Sequence, residues 1–595
     1  GSEQKYMTQS ENKICQNCKQ NFVIEAEDFR LYEHFEVPPA TFCPDCRMIR
    51  RLAFRNERNL YKRPCDLCKE EKIMMYPKDA SFPVYCFPCW WSDNWDAAQY
   101  ARDYDFSKPF FEQYKELLFS VPRSGIIKQG KSVGSEYTNR VTDQRRCYLV
   151  FGSINNEDCR YSSWINDSKQ LHDCYNVLKS ERCYDCVDCQ QSSNIAFSQE
   201  SRECLNSWFL FNCRNCSDCF GCVNLRNKNY CIFNEQCSKE EYDQKIAELK
   251  FDTPEGFVAA KEKFENLKKI QIVPWAYIYQ ANDSTGNWVY NSKNVKSAFN
   301  CNNVEDARYI YGISNGKDFM DFWQWSAGSE KIYEAINAGI QCANLKFVNE
   351  CWNQLLDSEY CMNCHSSQDL FGCSGIKKGQ YYIFNKQYSE SEYHDLKSKI
   401  IAQMKEVPYV DKGGRTYRYG EYFPIEISPF AYNETFAQEF FPITKEEAKK
   451  NGYPWRDEEK RNYSITLKSK DVPFSARMVS DEISKEVIAC EHEGKCNHVC
   501  ATAFRILKED LEMHKLSKAP LPKLCPNCRH FDRLSRRNLP KLWSRKCACD
   551  YKVYPNSAKH LHHPEGSCLN EFETSYSPED KAIVYCEPCY QQEVV

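Results

Sequence analysis

A chain of 595 residues with 42% hydrophobic and 27% charged residues is long enough for several packed cores and too apolar for a disordered coil. Its net charge of −4 excludes a uniformly basic nucleic-acid coat. Without an apolar run of about 18 residues, a cytoplasmic protein with no membrane partner is expected, in which the 37 cysteines stay reduced and bind metal more often than they pair.

Residues 1–92 carry four C-x2-C pairs: Cys15 and Cys18, Cys43 and Cys46, Cys65 and Cys68, Cys86 and Cys89. Each pair aims two thiolates at one ion, and two pairs complete a tetrahedron, so this stretch is expected to be a pair of zinc ribbons. Residues 93–146 read as a helical or irregular connector, with an amphipathic helix near 108–120 that Pro122 ends.

Residues 147–270 and 271–406 read as two copies of a β-rich repeat, each closed by a helical tail near 238–270 and 389–406. EDCRY at 157–161 answers EDARY at 305–309, and YCIFN at 230–234 answers YYIFN at 381–385. Short aromatic and aliphatic segments recur every 10 to 12 residues, a rhythm that suits a β-solenoid. The run Cys213, Cys216, Cys219, Cys222 invites a metal cluster. At corresponding places in the second copy, however, Ala307 stands for Cys159, Ala335 for Cys186 and Leu370 for Cys219, so these cysteines are expected to be small core residues. Trp208, Trp323, Trp325 and Trp352 are candidates for a binding groove, with core packing the alternative.

Residues 407–489 form an aromatic, Pro-rich strap with a helix near 444–451, and residues 490–595 a second ribbon pair. The 24 residues between Cys18 and Cys43 recur between Cys500 and Cys525, and the 18 between Cys46 and Cys65 recur between Cys528 and Cys547. The ligand sets chosen here are Cys496, Cys500, Cys525 and Cys528, then Cys547, Cys549, Cys586 and Cys589. Cys490, His492 and His498 compete at the first; Cys568, His560, His562 and His563 compete at the second. The whole is thus expected to be an α+β multidomain protein with about four structural zinc ions.

After each CPxC knuckle lies a basic stripe of net charge +6, over residues 47–63 and 529–546. Arg47, Arg51 and Arg55 are four apart, as are Arg529, Arg533 and Arg537, and Asn56 and Asn538 follow at the same offset. Such stripes suit nucleic-acid phosphates, with RNA or a nucleic-acid complex favoured. Arginine forks fit carboxylates equally well, so docking on a protein partner or on this chain's own acids, such as those within 93–116, is the competing expectation.

The modules resemble zinc ribbons of the pattern C-x2-C…C-P-x-C-R, carried here by Cys15, Cys18, Phe22, Asp28, Phe29, Tyr32, Pro38, Cys43, Pro44, Cys46 and Arg47. In the back copy Cys500, Phe504, Leu511, Pro522, Cys525, Pro526, Cys528 and Arg529 match. The full chain resembles uncharacterised multi-zinc-ribbon proteins of uncultured, small-genome bacteria, which implies zinc and an intracellular setting but no activity. No phosphate loop, nucleophile elbow or H-E-x-x-H helix is present. Nucleic-acid binding therefore leads, a non-enzymatic interaction scaffold is the alternative, and a solenoid enzyme acting on a polymer comes third.

Overall fold

The computed structural model describes residues 9–323, 329–339, 343–352, 354–457, 459 and 461–595. It is a mixed α/β structure whose middle is built from two parallel strand ladders and whose ends hold cysteine clusters.

The first ladder runs in strict chain order. Tyr148 pairs with Arg160, Arg160 with His172, Leu171 with Cys183, Cys183 with Ile195, and Leu210 with Cys222, always twelve residues apart. Pairing already begins at Lys128 with Val141, so part of the expected connector belongs to the ladder. The second ladder starts at Ile278 with Val289 and continues through Tyr311 with Trp323 and Leu370 with Tyr382.

A period of three lies inside the period of twelve. From Asp158 to Phe233 every third residue has φ between +47° and +68°. Asn, Asp or Gly fills 14 of these 26 positions, the residue types that enter the left-handed region most readily. The residue after each such corner points inward: from Cys159 to Cys222 every third side chain is buried. Ten of these 22 inward residues are Cys, seven are Ser, and the remaining five are Val, Ile or Leu. No inward residue over this stretch is larger than leucine or isoleucine.

Small polar side chains also serve the backbone there. Ser180 Oγ donates to the Leu178 carbonyl at 2.8 Å and accepts the Ser192 amide at 3.1 Å; Ser192 repeats this with Gln190 and the Cys204 amide. Cysteine takes the same position: Cys186 Sγ donates to the carbonyl of Tyr184, and Cys213 Sγ to that of Phe211. The C-x2-C-x2-C-x2-C run therefore fills four successive inward positions with cysteine. The second ladder places buried Ala307, Ala335 and Leu370 at the matching positions.

Helices stand where the sequence places them. Lys239–Leu249 starts at Ser238 and Glu390–Glu406 at Ser389, each through a capping box with a glutamate three residues on. Phe110–Leu118 packs Phe110, Phe111 and Tyr114 into the largest core, together with Tyr360, Phe384 and Phe423.

Candidate metal centres and their docking

Each metal module is a short hairpin followed by a knuckle that opens a helix. Cys43, Cys86, Cys525 and Cys586 are the N-caps of Pro44–Leu52, Phe87–Trp91, Pro526–Ser535 and Glu587–Val594, each with proline in the first turn. Extended backbone at the cap followed by a preset φ aims the knuckle thiols at one point.

Four groups of four sulfurs result: Cys15, Cys18, Cys43 and Cys46; Cys65, Cys68, Cys86 and Cys89; Cys490, Cys500, Cys525 and Cys528; Cys547, Cys568, Cys586 and Cys589, with the Sγ atoms of each group within 4.8 Å of one another. Sulfur pairs stand 3.8 Å apart for Cys18 and Cys43, 3.9 Å for Cys68 and Cys86, and 3.8 Å for Cys568 and Cys586. A tetrahedron with metal–sulfur bonds of about 2.3 Å has edges of about 3.8 Å. All four groups could therefore hold a metal ion.

Backbone amides identify equivalent sulfurs. The Cys43 amide donates to Cys15 Sγ at 3.2 Å, that of Cys86 to Cys65 at 3.1 Å, that of Cys525 to Cys490 at 3.2 Å and that of Cys586 to Cys547 at 3.2 Å. Cys490 thus takes the place of Cys15. Neighbouring thiols donating to Cys15 and to Cys525 hold both well below the usual thiol range, against the opposing effect of burial. Deprotonated sulfur is the form a metal takes.

Two of these tetrads differ in one member from the expected ligand sets. Cys496, expected in the third group, yields its place to Cys490 and sits 3.7 Å from Cys528 on the far side, beside His492 and His498. Cys549, expected in the fourth, yields to Cys568 and faces His560 Nδ1 at 3.5 Å. The reason is an expanded first knuckle: C-x2-C in the front ribbons becomes Cys490-x9-Cys500 and Cys547-x20-Cys568.

The arginines expected to contact phosphates are engaged within the molecule, the front stripe and Arg533 buried, Arg529 and Arg537 half-buried. Arg47, Arg51, Arg55 and Arg533 are each 1% exposed. Arg47 Nε meets Asp321 at 2.7 Å while its Nη1 donates to the Phe42 carbonyl at 2.8 Å; Arg51 stands 3.3 Å from the other Asp321 oxygen. Arg50, which the stripe did not include, bridges Glu334 and Glu421, both at 2.8 Å. Arg55 turns back on Glu57, and Asn56 donates to the carbonyls of Asn59 and Met75.

The back stripe repeats this on the other ladder. Arg529 and Arg533 share Asp173, each at 3.0 Å, and Arg529 Nη1 donates to the Leu524 carbonyl at 2.9 Å. Arg536 takes Asp185 at 2.7 Å, Arg537 takes Asp188 at 2.9 Å, and Asn538 donates to Ser575 at 3.2 Å. The acids of 93–116 are not the partners. Asp173 and Asp185 lie one coil apart in one column, and Asp321 and Glu334 occupy a matching column, as the neighbouring pairing of Phe322 with Ala335 places them.

A second grip uses the EDCRY and EDARY segments. Arg160 Nε and Tyr161 Oη both reach Asp510 at 2.8 Å, and Arg308 with Tyr309 reaches Asp28, the tyrosine at 2.9 Å. Asp28 and Asp510 each accept the backbone amide three residues back, of Glu25 at 3.0 Å and Leu507 at 2.8 Å, so one carboxylate holds the start of its helix and docks the module. The outer ribbons are fastened by strands: Val84 pairs with Arg123, and Ile583 with Ile272.

Between the ladders lies a groove of about 430 Å³ with Trp164, Asn176, Gln190, Trp288, Tyr290 and Asn302 among its walls. Its tryptophans are not the expected ones. Trp323 is buried, stacked 3.9 Å from Tyr311, and Trp208 donates to the Ser517 carbonyl at 3.0 Å. Trp325 and the side chain of Trp352 lie outside the described residues. Beside the groove, Glu200 bonds Tyr277, and Asp188 is held by Arg537 and Asn176.

No family model and no curated protein matches the chain. One solved structure does, described as "putative acetyltransferase from Desulfovibrio desulfuricans G20", at 12% identity over 49% of this chain and 76% of that one. Its TM-score of 0.08 gives it no weight in the argument. Among the described residues no helix is long and apolar enough to cross a membrane.

Proposed function

We propose that this chain is a zinc-stabilised, non-enzymatic interaction scaffold of the cytoplasm. Its two ladders are the coils of a duplicated β-solenoid, and its ribbon pairs clamp them together. Zinc suits the all-thiolate tetrads, and four sulfurs leave no position open for substrate, which makes these ions structural. One observation carries the scaffold reading over nucleic-acid binding: the arginines that would hold phosphates are engaged by Asp321, Glu57, Asp173 and Asp188 inside the molecule. The polymer-cleaving reading has little support, because Asp188 and Glu200 beside the groove are already held by Arg537 and Tyr277.

Fluorescence anisotropy of the zinc-loaded protein with labelled RNA and DNA, over a salt series, tests this. Flat titrations at low salt are expected. Tight binding that falls steeply as salt rises would restore the nucleic-acid reading through some other surface.

A further inference from the structure

We infer that each back ribbon binds two metal ions rather than one, joined through the last cysteine of its helix-opening C-x2-C knuckle. This rests on the reading that the tetrads bind metal, and extends it to a site of different composition. The expanded first knuckles supply the extra ligands.

In the third module, His492, Cys496 and His498 gather on Cys528 with their donor atoms within 4.8 Å of one another, while Cys528 also completes the tetrad of Cys490, Cys500 and Cys525. Cys528 Sγ stands 3.9 Å from Cys490 and 3.7 Å from Cys496, a tetrahedral edge in both directions. The Nδ1 atoms of His492 and His498 are buried and lack a hydrogen-bond partner. A buried imidazole nitrogen in that state is costly until a metal takes its lone pair or an acceptor takes its proton; His563 Nδ1 in the fourth module shares that state. His498 is held flat against Phe531, at 5.2 Å and 9°, which fixes its ring.

The fourth module makes the same arrangement from different sequence. Cys549 lies 3.5 Å from His560 Nδ1, His560 Nδ1 lies 3.3 Å from His563 Nε2, and His563 Nε2 lies 3.1 Å from Cys589, the last sulfur of the neighbouring tetrad. Around one zinc with bonds of about 2.0 and 2.3 Å, nitrogen–nitrogen edges are about 3.3 Å and nitrogen–sulfur edges about 3.5 Å, which the first two distances match and the third undercuts. Glu593 takes the remaining nitrogen of His560 at 2.7 Å, so Nε2 carries the proton and Nδ1 keeps its lone pair toward the site. His562 Nε2, 3.4 Å from Cys568 and 3.3 Å from Cys589, is a spare donor over the tetrad.

The front ribbons contrast. Their first knuckles are C-x2-C and carry no inserted histidine or cysteine; in the first of them the sulfur equivalent to Cys528 receives the Asn17 amide, Nδ2 donating to Cys46 at 3.2 Å. The ligand sets assign six ions to the chain, two of them in sites of two histidines and two cysteines that share a thiolate with an all-cysteine site. A borderline divalent ion, zinc above all, fits that donor mixture.

Native mass spectrometry and elemental analysis of the desalted full-length protein would count the ions. Six are expected, falling by one in H492A/H498A and by one in H560A/H563A, with the circular dichroism of the ladders unchanged. Cobalt loading adds a readout independent of folding: two cobalt ions sharing Cys528 couple magnetically, and the wild-type electron paramagnetic resonance signal is weaker per ion than that of H492A/H498A. Four ions, unaltered in both double variants, would overturn the inference and leave the structural zinc reading intact. A count that stays the same in C18S/C68S as well would instead overturn that underlying reading.

Discussion

Asp173 and Asp321 hold matching positions in the two ladders, and each receives two arginines four residues apart on a helix from the opposite end of the chain. Arg47 and Arg51 converge on Asp321, and Arg529 and Arg533 on Asp173. The front module is thereby tied to the second ladder and the back module to the first, so the docking is crossed. Buried ion pairs of this kind add little net stability over apolar packing, but losing one partner strands a charge.

Replacing either aspartate therefore has a local and predictable result. D321N leaves Arg47 and Arg51 buried without the carboxylate they share and costs about 3–5 kcal/mol. Hydrogen exchange should quicken in Pro44–Leu52 for D321N and in Pro526–Ser535 for D173N. Equal loosening of both helices in either variant would contradict the crossed docking.

Removing metal should separate the terminal modules from the middle. With a strong chelator and limited proteolysis, cuts are expected within 9–92 and 490–595, while the ladder from Tyr148 to Ile232, closed by its own hydrogen bonds, resists. Protection of the ends after full metal loss would show that the tetrads do not need an ion.

The four inward cysteines of one coil should prove to be packing. Changing Cys213, Cys216, Cys219 and Cys222 together to serine is expected to leave the metal count unchanged, because serine fills such positions elsewhere in the ladder and serves the same carbonyls. The cost is of order 1 kcal/mol per site. A lower metal count in this variant would revive the cluster reading.

Acidity enters through Glu200, whose carboxyl is pushed up from 4.5 to about 7, chiefly by burial, with the nearby charge of Asp188 adding to it. The folded state thus holds a proton that the unfolded state has released between those values. Its stabilising contribution is complete below about pH 4.5 and is lost as pH rises through 7. E200Q should match the wild type near pH 5 and be the more stable protein at pH 8, by on the order of 3 kcal/mol. Thermal unfolding of both proteins across that range checks the sign.

Much of the plan was legible in the chain, and the misses have physical causes. A recurrence of 10 to 12 residues is visible, but the period of three inside it is hidden from any search for alternating strands, since a left-handed residue at every third position breaks the alternation. Cys568 could have been found: the interval from Cys68 to Cys86 recurs between Cys568 and Cys586, and only the preference for an intact C-x2-C hairpin concealed it. The paired EDCRY and EDARY segments were plain, yet nothing local says that Arg160 and Arg308 reach for Asp510 and Asp28. Partners 349 residues away, as Tyr161 and Asp510 are, leave no mark on spacing or composition.

Crossed docking also sets an order of events during synthesis. Arg47 meets Asp321 across a separation of 274 residues. At about 5–20 residues per second, that is a wait of roughly 15 to 55 s in which the nascent front module displays a bare guanidinium row. The back module has no such delay, because Asp173 has been made long before Arg529 appears. The two ends of the molecule look alike when finished, but only the first passes through a cationic, unpartnered stage at the ribosome.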